Sequence, residues 1–529
     1  MKNLFRAIYI ALPILFLSCS DDDSMQPVGP DNMGETESFD LTSVSDPSIS
    51  GTATFMQNED NSTTVEISLE GTTSGMHPAH IHFNTAAEGG DIALSFNPID
   101  GATGMSTTTF SALDDGTPIT YEEAVNFDGY INVHLSADDL GTLVAQGDIG
   151  ENDLTGDMKS YELATKDVEG IMGTVLFQER ENGEALATIM LENTPDDGMH
   201  PAHIHMNTAA EGGDIAFTFT PVNGNTGMSM TNVASLDDGT MFGYAEVLDY
   251  DGYVNVHLSA EALGTLVAQG DIGQNELTGE SKTYDLESKD VEGIMGTAVF
   301  EERVNGEALA TLMLEGTPDG GMHPAHIHMN TAAEGGDIAF TFNPVNGTTG
   351  MSMTNVAMLD DDTMFGYADV LDYDGYINVH LSAEDLGTLV AQGDIGQNEL
   401  TGEAVTYDLN TVDVPGIMGT AMFKQRVNGE TLVVLSLENT VPGAMHPAHI
   451  HMGSVVNAPG DIAISLNSVN GSTGMSMTNV TAFDAAEGED GEMVDYGTLI
   501  EYDGYINVHL SAEELGVLVA QGDIGMNAS

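Results

Sequence analysis

The chain has 529 residues, of which 84 are acidic and 10 are basic, so its formal net charge is −74 at pH 7. That charge excludes nucleic acid and anionic membrane surfaces as attractive partners. The single cysteine excludes a disulfide framework, so we expect each folded part to be held together by its apolar core.

The N-terminal 19 residues predict an export signal. Lys2 and Arg6 flank an apolar run at residues 7–17, which is too short to cross a bilayer as a helix. The Leu-Ser-Cys sequence that ends at Cys19 resembles a bacterial lipobox, in which the cysteine is lipidated and becomes the mature N-terminus. The alternative is an ordinary cleaved signal with a chance cysteine.

The residues after Cys19 bear on location. Residues 20–33 are rich in Asp, Ser, Pro and Gly, which predicts a flexible tether. Ser20 resembles outer-membrane sorting, and the acidic run at 21–23 resembles the tag of surface-exposed lipoproteins. We therefore expect a lipid anchor in the outer membrane, with the protein at the cell surface rather than on the periplasmic face.

The rest of the chain consists of four repeats. The sequence His-Pro-Ala-His-Ile-His begins at residues 77, 200, 323 and 446, and each start lies 123 residues after the last. A second motif, Asn-Val-His, ends at residues 134, 257, 380 and 509, and the two motifs together hold all 16 histidines. Recurrent opening and closing motifs predict domains at 34–155, 156–278, 279–401 and 402–529. A period this long indicates domains that fold separately, not a solenoid.

Within a repeat, short apolar segments alternate with turn sequences. In the second repeat we predict seven strands between Gly173 and Ile272, separated by sequences such as Glu-Asn-Gly and Asp-Asp-Gly. This number of strands predicts an all-β fold of four tandem β-sandwich or barrel domains. One helical turn is expected at residues 136–141, where Ser136 can cap the turn and Gly141 can end it.

The histidines lie in two of the predicted strands. Because side chains alternate along a strand, His80 and His82 face away from the apolar residues at 79, 81 and 83, and His134 faces away from Ile131 and Val133. If the two strands are neighbours, three imidazoles meet outside the core. Three neutral nitrogens with an open position suit zinc or copper.

This reasoning gives one candidate metal site per repeat. The predicted ligands are His80, His82 and His134; His203, His205 and His257; His326, His328 and His380; and His449, His451 and His509. A fourth histidine in each repeat is either a further ligand or a structural histidine: His77, His200, His323 and His446. The alternative for all of them is a structural cluster that hydrogen-bonds neighbouring loops. We assign no catalytic residues.

Methionines close to these histidines are a further source of ligands, because thioethers suit Cu(I). Met206, however, replaces Phe83 at a position that alternation predicts to face the core, so we interpret it as filling space in the core.

Ala-His-Ile-His, then Gly-Tyr-Ile-Asn-Val-His, then Gly-Asp-Ile-Gly resembles the chordin-type (CHRD) domain over residues 34–526. The resemblance implies an immunoglobulin-like Greek-key β-sandwich related to Cu/Zn superoxide dismutase, with no general activity. By the likeness to the dismutase, His80, His82 and His134 fall on copper ligands and His77 falls on a structural histidine.

The departures from the dismutase pattern are large. The metal-bridging histidine and the zinc-loop histidines have no counterparts, and Leu143 stands where the dismutase has the arginine that guides superoxide. A net charge of −74 also repels an anionic substrate. We therefore do not expect efficient superoxide dismutation, whereas these departures do not oppose copper binding.

Two functions are predicted. In the first, the four domains are an extracellular binding or structural module on a surface lipoprotein, and tandem copies raise avidity for an unidentified ligand. The alternative is a copper- or zinc-binding protein with one ion per repeat and at most weak redox activity.

Overall fold

The computed structural model describes residues 34–486, 489 and 491–528. The predicted signal peptide, Cys19 and the tether lie outside the described residues. Strands account for 55% of the chain and helices for 6%, which confirms the predicted all-β fold with four sheet units. Among the described residues, no helix has both the length and the apolar character needed to span a membrane.

Residues 34–155 and 180–182 form one compact unit, and the other described residues from 156 onward form a second. The strands of the first repeat are β1 Thr36–Ser43, β2 Ser50–Gln57, β3 Thr63–Glu70, β4 Met76–His77, β5 Ala79–Phe83, β6 Ile92–Ser95, β7 Ile99–Asp100, β8 Met105–Phe110, β9 Gly129–Ser136 and β10 Asp139–Ile149. Those of the second are β11 Leu154–Thr165, β12 Met172–Arg180, β13 Ala185–Glu192, β14 Met199–His200, β15 Ala202–Met206, β16 Ile215–Thr218, β17 Val222–Asn223, β18 Met228–Val233, β19 Asp251–His257 and β20 Leu266–Gly273.

In the described residues the third and fourth repeats have eight strands each, because two strands that are divided in the first two repeats are continuous here. The third contains β21 Leu277–Ser288, β22 Met295–Arg303, β23 Ala308–Glu315, β24 Met322–Met329, β25 Ile338–Asn346, β26 Met351–Val356, β27 Asp374–Ser382 and β28 Asp385–Gly396. The fourth contains β29 Leu400–Thr411, β30 Met418–Arg426, β31 Thr431–Glu438, β32 Met445–Met452, β33 Ile462–Asn470, β34 Met475–Val480, β35 Asp503–His509 and β36 Leu518–Gly525. Within the described residues each repeat has one short α-helix: α1 Tyr121–Val125, α2 Tyr244–Asp249, α3 Tyr367–Asp372 and α4 Tyr496–Ile500. Single 3-10 turns lie at Gly150–Asn152 and Val455–Asn457.

The strand order is a Greek key. In the third repeat the sheet closes in the order β21-β22-β23-β26-β25-β24-β27-β28, so β23 to β24 and β26 to β27 are crossover connections. The first two repeats have the same order, with the strands equivalent to β24 and β25 each divided in two. This order brings the two histidine strands side by side in every repeat.

Each repeat has its own apolar core, formed by the inward residues of alternating strands. In the second repeat Val175, Phe177, Ile189, Ile204 and Val254 are all fully buried. Burying one such side chain stabilises the fold by about 1.5–3 kcal/mol, so the apolar core is the main source of stability in each repeat.

The predicted helical turn at residues 136–141 is wrong. Ser136 ends β9 and Asp139 begins β10, so the segment closes a hairpin. The Asp139 carboxylate accepts from the Thr142 backbone N–H and hydroxyl, which favours a turn over a helix. The first helix lies at α1 instead, where Thr120 and Glu123 form a capping box.

The prediction that Met206 and Phe83 face the core is also wrong. Their exposed fractions are 45% and 40%. Each is the last residue of its strand, so the alternation continues beyond the edge of the core. Phe83 contacts the Phe127 ring at this edge, with the centroids 5.5 Å apart.

Candidate metal centre

The two histidine strands of each repeat are hydrogen-bonded neighbours. In the second repeat β15 pairs with β19, and His203 and His205 lie opposite Asn255 and Tyr253. The alternate residues of β15, Ala202 and Ile204, are fully buried in the core. The pairing that the sequence left as a condition is therefore present, and the imidazoles lie on the face opposite the core.

The structure brings three histidines together in each repeat. One nitrogen from each ring can be chosen so that the three lie within 4.8 Å of one another, close enough to hold one metal ion. The four groups are His80, His82 and His134; His203, His205 and His257; His326, His328 and His380; and His449, His451 and His509. These are the sets that strand alternation predicted to lie together.

Backbone carbonyls determine which nitrogens face the centre. His257 Nδ1 lies 2.7 Å from the Leu263 carbonyl oxygen, and His205 Nδ1 lies 2.9 Å from that of Gly213. Because a carbonyl only accepts, both Nδ1 atoms carry the proton and both Nε2 atoms carry a lone pair. His203 Nδ1 lies 3.0 Å from His257 Nε2. Because His257 Nε2 accepts, His203 Nδ1–H is the donor of this bond, and the lone pair of His205 that is free for a ligand is on its Nε2.

One of these atoms is a buried acceptor that the protein leaves without a partner. His205 Nε2 is inaccessible to solvent and makes no hydrogen bond, and the same is true of Nε2 in His82, His328 and His451. A buried polar atom without a partner costs about 1–3 kcal/mol. A metal ion bound at Nε2 would remove that cost, so the residues present fit a metal site.

The His205 ring is held on both of its sides. It stacks on Tyr253 with the ring centroids 5.1 Å apart and the planes 19° apart. Gly213 links the two residues, because its N–H donates to the Tyr253 hydroxyl at 3.2 Å and its carbonyl accepts from His205. Such contacts fix the tautomer and orientation of a ligand.

Only glycine fits at position 213. A Cβ atom there would lie 2.0 Å from the Met206 carbonyl oxygen, far inside van der Waals contact. The equivalent glycines, Gly90, Gly336 and Gly460, meet the same obstruction. The glycine at this position of each repeat thus lets the loop after the histidine strand place its carbonyl oxygen against the histidine ring.

Burial keeps the ligands neutral. Burial lowers the pKa of His203 to about 4, aided by the nearby His257 and His205 and opposed by Asp237. Burial also lowers the pKa of His257, and the hydrogen bond to the Leu263 carbonyl opposes it. Neutral imidazole is the form that binds metal, so neither ring has to lose a positive charge at pH 7. In the metal-free chain, however, His203 Nδ1–H donates to His257 Nε2, so the His203 proton has to move to its own Nε2 before Nδ1 can bind an ion.

The fourth histidine of each repeat lies outside the group of three. His200 is fully buried, and its Nδ1 lies 2.9 Å from the Leu258 carbonyl oxygen and 3.3 Å from that of His257. His77 makes the equivalent contact with His134 and a second one with the Thr73 carbonyl oxygen. These contacts with backbone carbonyls favour a structural role for the fourth histidine over a role as a further metal ligand.

Sequence reasoning missed Tyr253, Gly213 and the contacts of Asp271. Tyr253 had a signal, since alternation places it on the histidine face of its strand, and its ring covers His205. Asp271 accepts from Ala209 N–H at 2.8 Å, which ties the loop before Gly213 to β20. This contact joins segments 62 residues apart and has no local pattern.

The chain was also compared with known proteins. No family model matches it, and no match is found among curated proteins.

Proposed function

We propose that this protein binds copper or zinc, with one ion at the three-histidine group of each repeat. The observation that carries the proposal is the convergence, in every repeat, of three imidazole nitrogens within 4.8 Å of one another, with a buried, unpartnered Nε2 in one of the three rings. The orphaned Nε2 is not sufficient by itself, because His200, His323 and His446, which lie outside the groups of three, have one too. A cluster that served only to hydrogen-bond loops has no need to gather three imidazole nitrogens within 4.8 Å of one another.

The donor set selects the class of metal. Each group offers three neutral nitrogens and no carboxylate, which suits zinc or copper and disfavours calcium and magnesium. Nitrogen sites bind Cu²⁺ more tightly than Zn²⁺ in general, so we expect copper to displace zinc. The metal carried in the cell then depends on which ion the protein meets.

We further propose that the protein is exported, lipidated at Cys19 and held on the outer membrane, facing the cell surface. Support for this comes from the sequence of residues 1–23 alone. The other predicted function, an extracellular binding or structural module for an unidentified ligand, differs in requiring no metal. The resemblance to chordin-type domains is compatible with either function.

The metal content of the full chain tests the proposal. Metal-free protein is equilibrated with excess Cu²⁺ or Zn²⁺, dialysed and analysed by mass spectrometry, and we expect about four ions per chain from the four histidine groups. His205→Gln should reduce this to about three. Met206→Leu, an exposed change on the same strand, is the matched control and should retain all four.

The Cu²⁺-loaded protein should also give an electron paramagnetic resonance spectrum with nitrogen ligands. A content near zero in the unmodified chain would contradict the proposal. So would equal metal content in the unmodified chain and the His205→Gln variant, because the ions would then bind elsewhere on the acidic surface.

A further inference from the structure

An arginine of the third repeat contacts buried polar groups of the second repeat. Arg303 ends β22 of the third repeat and is only 1% exposed. Its Nη1 lies 2.7 Å from Oδ2 of Asp271, which belongs to β20 of the second repeat, and it also donates to the Asn275 carbonyl. Its Nε donates to Asn355 of its own repeat at 2.9 Å. A buried guanidinium therefore joins the two repeats.

The two residues that Arg303 contacts in the second repeat hold the loop at residues 207–213. Asp271 uses its other oxygen, Oδ1, to accept from the Ala209 N–H at 2.8 Å. The Asn275 amide donates to the Asn207 carbonyl at 3.0 Å. The loop is thus fixed at two points, and both depend on groups that the arginine neutralises or binds.

The same loop ends at the metal centre. Gly213 accepts from Nδ1 of His205 at 2.9 Å, which fixes the tautomer of the ring and leaves the unpartnered Nε2 as its metal-binding nitrogen. An unbroken series of contacts therefore runs from Arg303 through Asp271 and the loop to His205. Without the guanidinium, the Asp271 carboxylate would be left largely buried and unpaired, and we expect it to turn toward water and release Ala209.

The joint recurs. Arg426 of the fourth repeat pairs with Asp394 of the third at 2.7 Å, and Asp394 accepts from Ala332 N–H at 2.8 Å. Within the first compact unit, Arg180 pairs with Asp148 at 2.8 Å, and Asp148 accepts from the N–H of Ala86.

Three arginines occur in the described part of the chain, and all three occupy this position. Although the chain has few basic residues, every arginine in its described part therefore pairs with the equivalent aspartate of the preceding repeat. In the fourth repeat the equivalent carboxylate, Asp523, accepts from Val455 N–H but has no arginine partner within the described residues.

We infer that Arg303 is a positioning residue for the metal site of the second repeat, so that the site in one repeat is completed by the repeat that follows it. The inference rests on the proposed metal binding. Removing a group that orients a metal ligand directly lowers metal affinity about 10- to 100-fold, and because Arg303 acts through Asp271 and the loop we expect a loss toward the lower end of this range. The loss should be confined to the site that the arginine faces.

Single-site versions of the full chain test this inference. The version with only the second site carries His82→Gln, His328→Gln and His451→Gln, and the version with only the third site carries His82→Gln, His205→Gln and His451→Gln. Cu²⁺ affinity is measured by competition with a coloured chelator. In the second-site version, Arg303→Met should lower affinity about tenfold and Arg426→Met should leave it unchanged. In the third-site version the two effects should be exchanged.

Two further measurements separate positioning from general instability. The Cu²⁺ electron paramagnetic resonance spectrum should change in the affected version only. In the metal-free chain, amide hydrogen exchange of residues 207–213 should become faster in Arg303→Met and stay unchanged in Arg426→Met. If Arg303→Met does not fold, Asp271→Asn replaces it, because it keeps an oxygen for Ala209 N–H while removing the charge that Arg303 pairs with. The same site-specific loss is expected.

The outcomes are distinguishable. If the second-site parent binds Cu²⁺ and Arg303→Met binds it with the same affinity, the inference is overturned and the proposed function stands. Equal losses from both arginine variants in one version also overturn it, because the effect would be general. If neither parent binds Cu²⁺, the proposed function fails, and the inference fails with it.

Discussion

Acidification to pH 5 should leave the His203 imidazole neutral. Its pKa is lowered to about 4, first by burial and then by the neighbouring His257 and His205. At pH 5 an imidazole with the ordinary pKa of about 6.5 is about 97% protonated, whereas one with a pKa of about 4 is about 10% protonated. Neutral ligand is therefore about 30-fold more abundant, which corresponds to about 2 kcal/mol in competition between metal and protons.

The sign for stability follows from the same shift. The folded-state pKa of His203 lies below that of the unfolded chain, so the folded state binds fewer protons in acid. The stability associated with the neutral ring is complete above pH 6.5, falls below that value, and is lost as the pH passes through about 4. His326, whose pKa burial also lowers to about 4, should behave in the same way.

Nuclear magnetic resonance of histidine labelled with ¹³C at Cε1 checks this prediction in the metal-free chain. The signal that disappears in His203→Gln belongs to His203, and it should not move between pH 7.5 and 5 before titrating near pH 4. The signal assigned with His326→Gln serves as the replicate. A midpoint above pH 6 for either ring would refute the argument from burial, whether or not the protein binds metal.

Three substitutions in the second repeat test the support of the site. Gly213→Ala should lower Cu²⁺ affinity at that site by about tenfold or more, because the new methyl would meet the Met206 carbonyl oxygen at 2.0 Å; unchanged affinity in a chelator competition would contradict this. Tyr253→Phe keeps the ring stacked on His205 but loses the hydrogen bond from Gly213, so thermal denaturation should report a loss of about 1 kcal/mol, and an unchanged melting temperature would speak against the bond. Asn275→Ala removes a fully buried amide that donates to three acceptors, the Asn207 and Gly252 carbonyls and the Asp251 carboxylate, and urea denaturation should report a loss of about 2–3 kcal/mol; a loss below about 0.5 kcal/mol would mean that water replaces the amide.

The histidines of the candidate metal centre were predictable in part because strand alternation is a strictly local rule. His203 and His205 are two residues apart, so they share a face whatever the rest of the fold does. The third histidine had to be placed by strand pairing, which the sequence offered only as a condition. The register that pairs His205 with Tyr253 depends on contacts between segments 48 residues apart, and no local pattern specifies it.

The support around the centre was not predictable in the same way. The loop that covers His205 is held by Asp271 and, through it, by Arg303, and these contacts cross 62 and 32 residues of sequence. Alternation specifies the face of a side chain but not which loop folds over that face. A signal did exist, since the arginines recur at positions 180, 303 and 426 with the same spacing as the histidine motifs. Regular spacing indicates that these residues are equivalent but does not identify their partners.

Local rules also gave two wrong expectations, and both concern the ends of elements. Ser136 and Gly141 are good helix-terminal residues, yet the segment between them forms a hairpin because the strands on either side of it pair with each other. Met206 obeys alternation but lies where the core ends. In both cases tertiary contacts decide the outcome against local preference.

The charge of the protein bears on which chemistry the centre can support. A net charge of −74 attracts cations toward the surface and repels anions such as superoxide, so it assists delivery of a metal ion and opposes that substrate. Negative charge is also present at the site, because Asp237 raises the pKa of His203 and so favours a positive charge there. Burial and the other two rings lower the same pKa and so oppose protonation. A divalent ion gains from the carboxylate and from three neutral nitrogens at once, whereas a proton gains from the carboxylate and one nitrogen only. The arrangement therefore favours the binding of a metal ion over protonation of the three imidazoles, as the proposed copper or zinc binding requires.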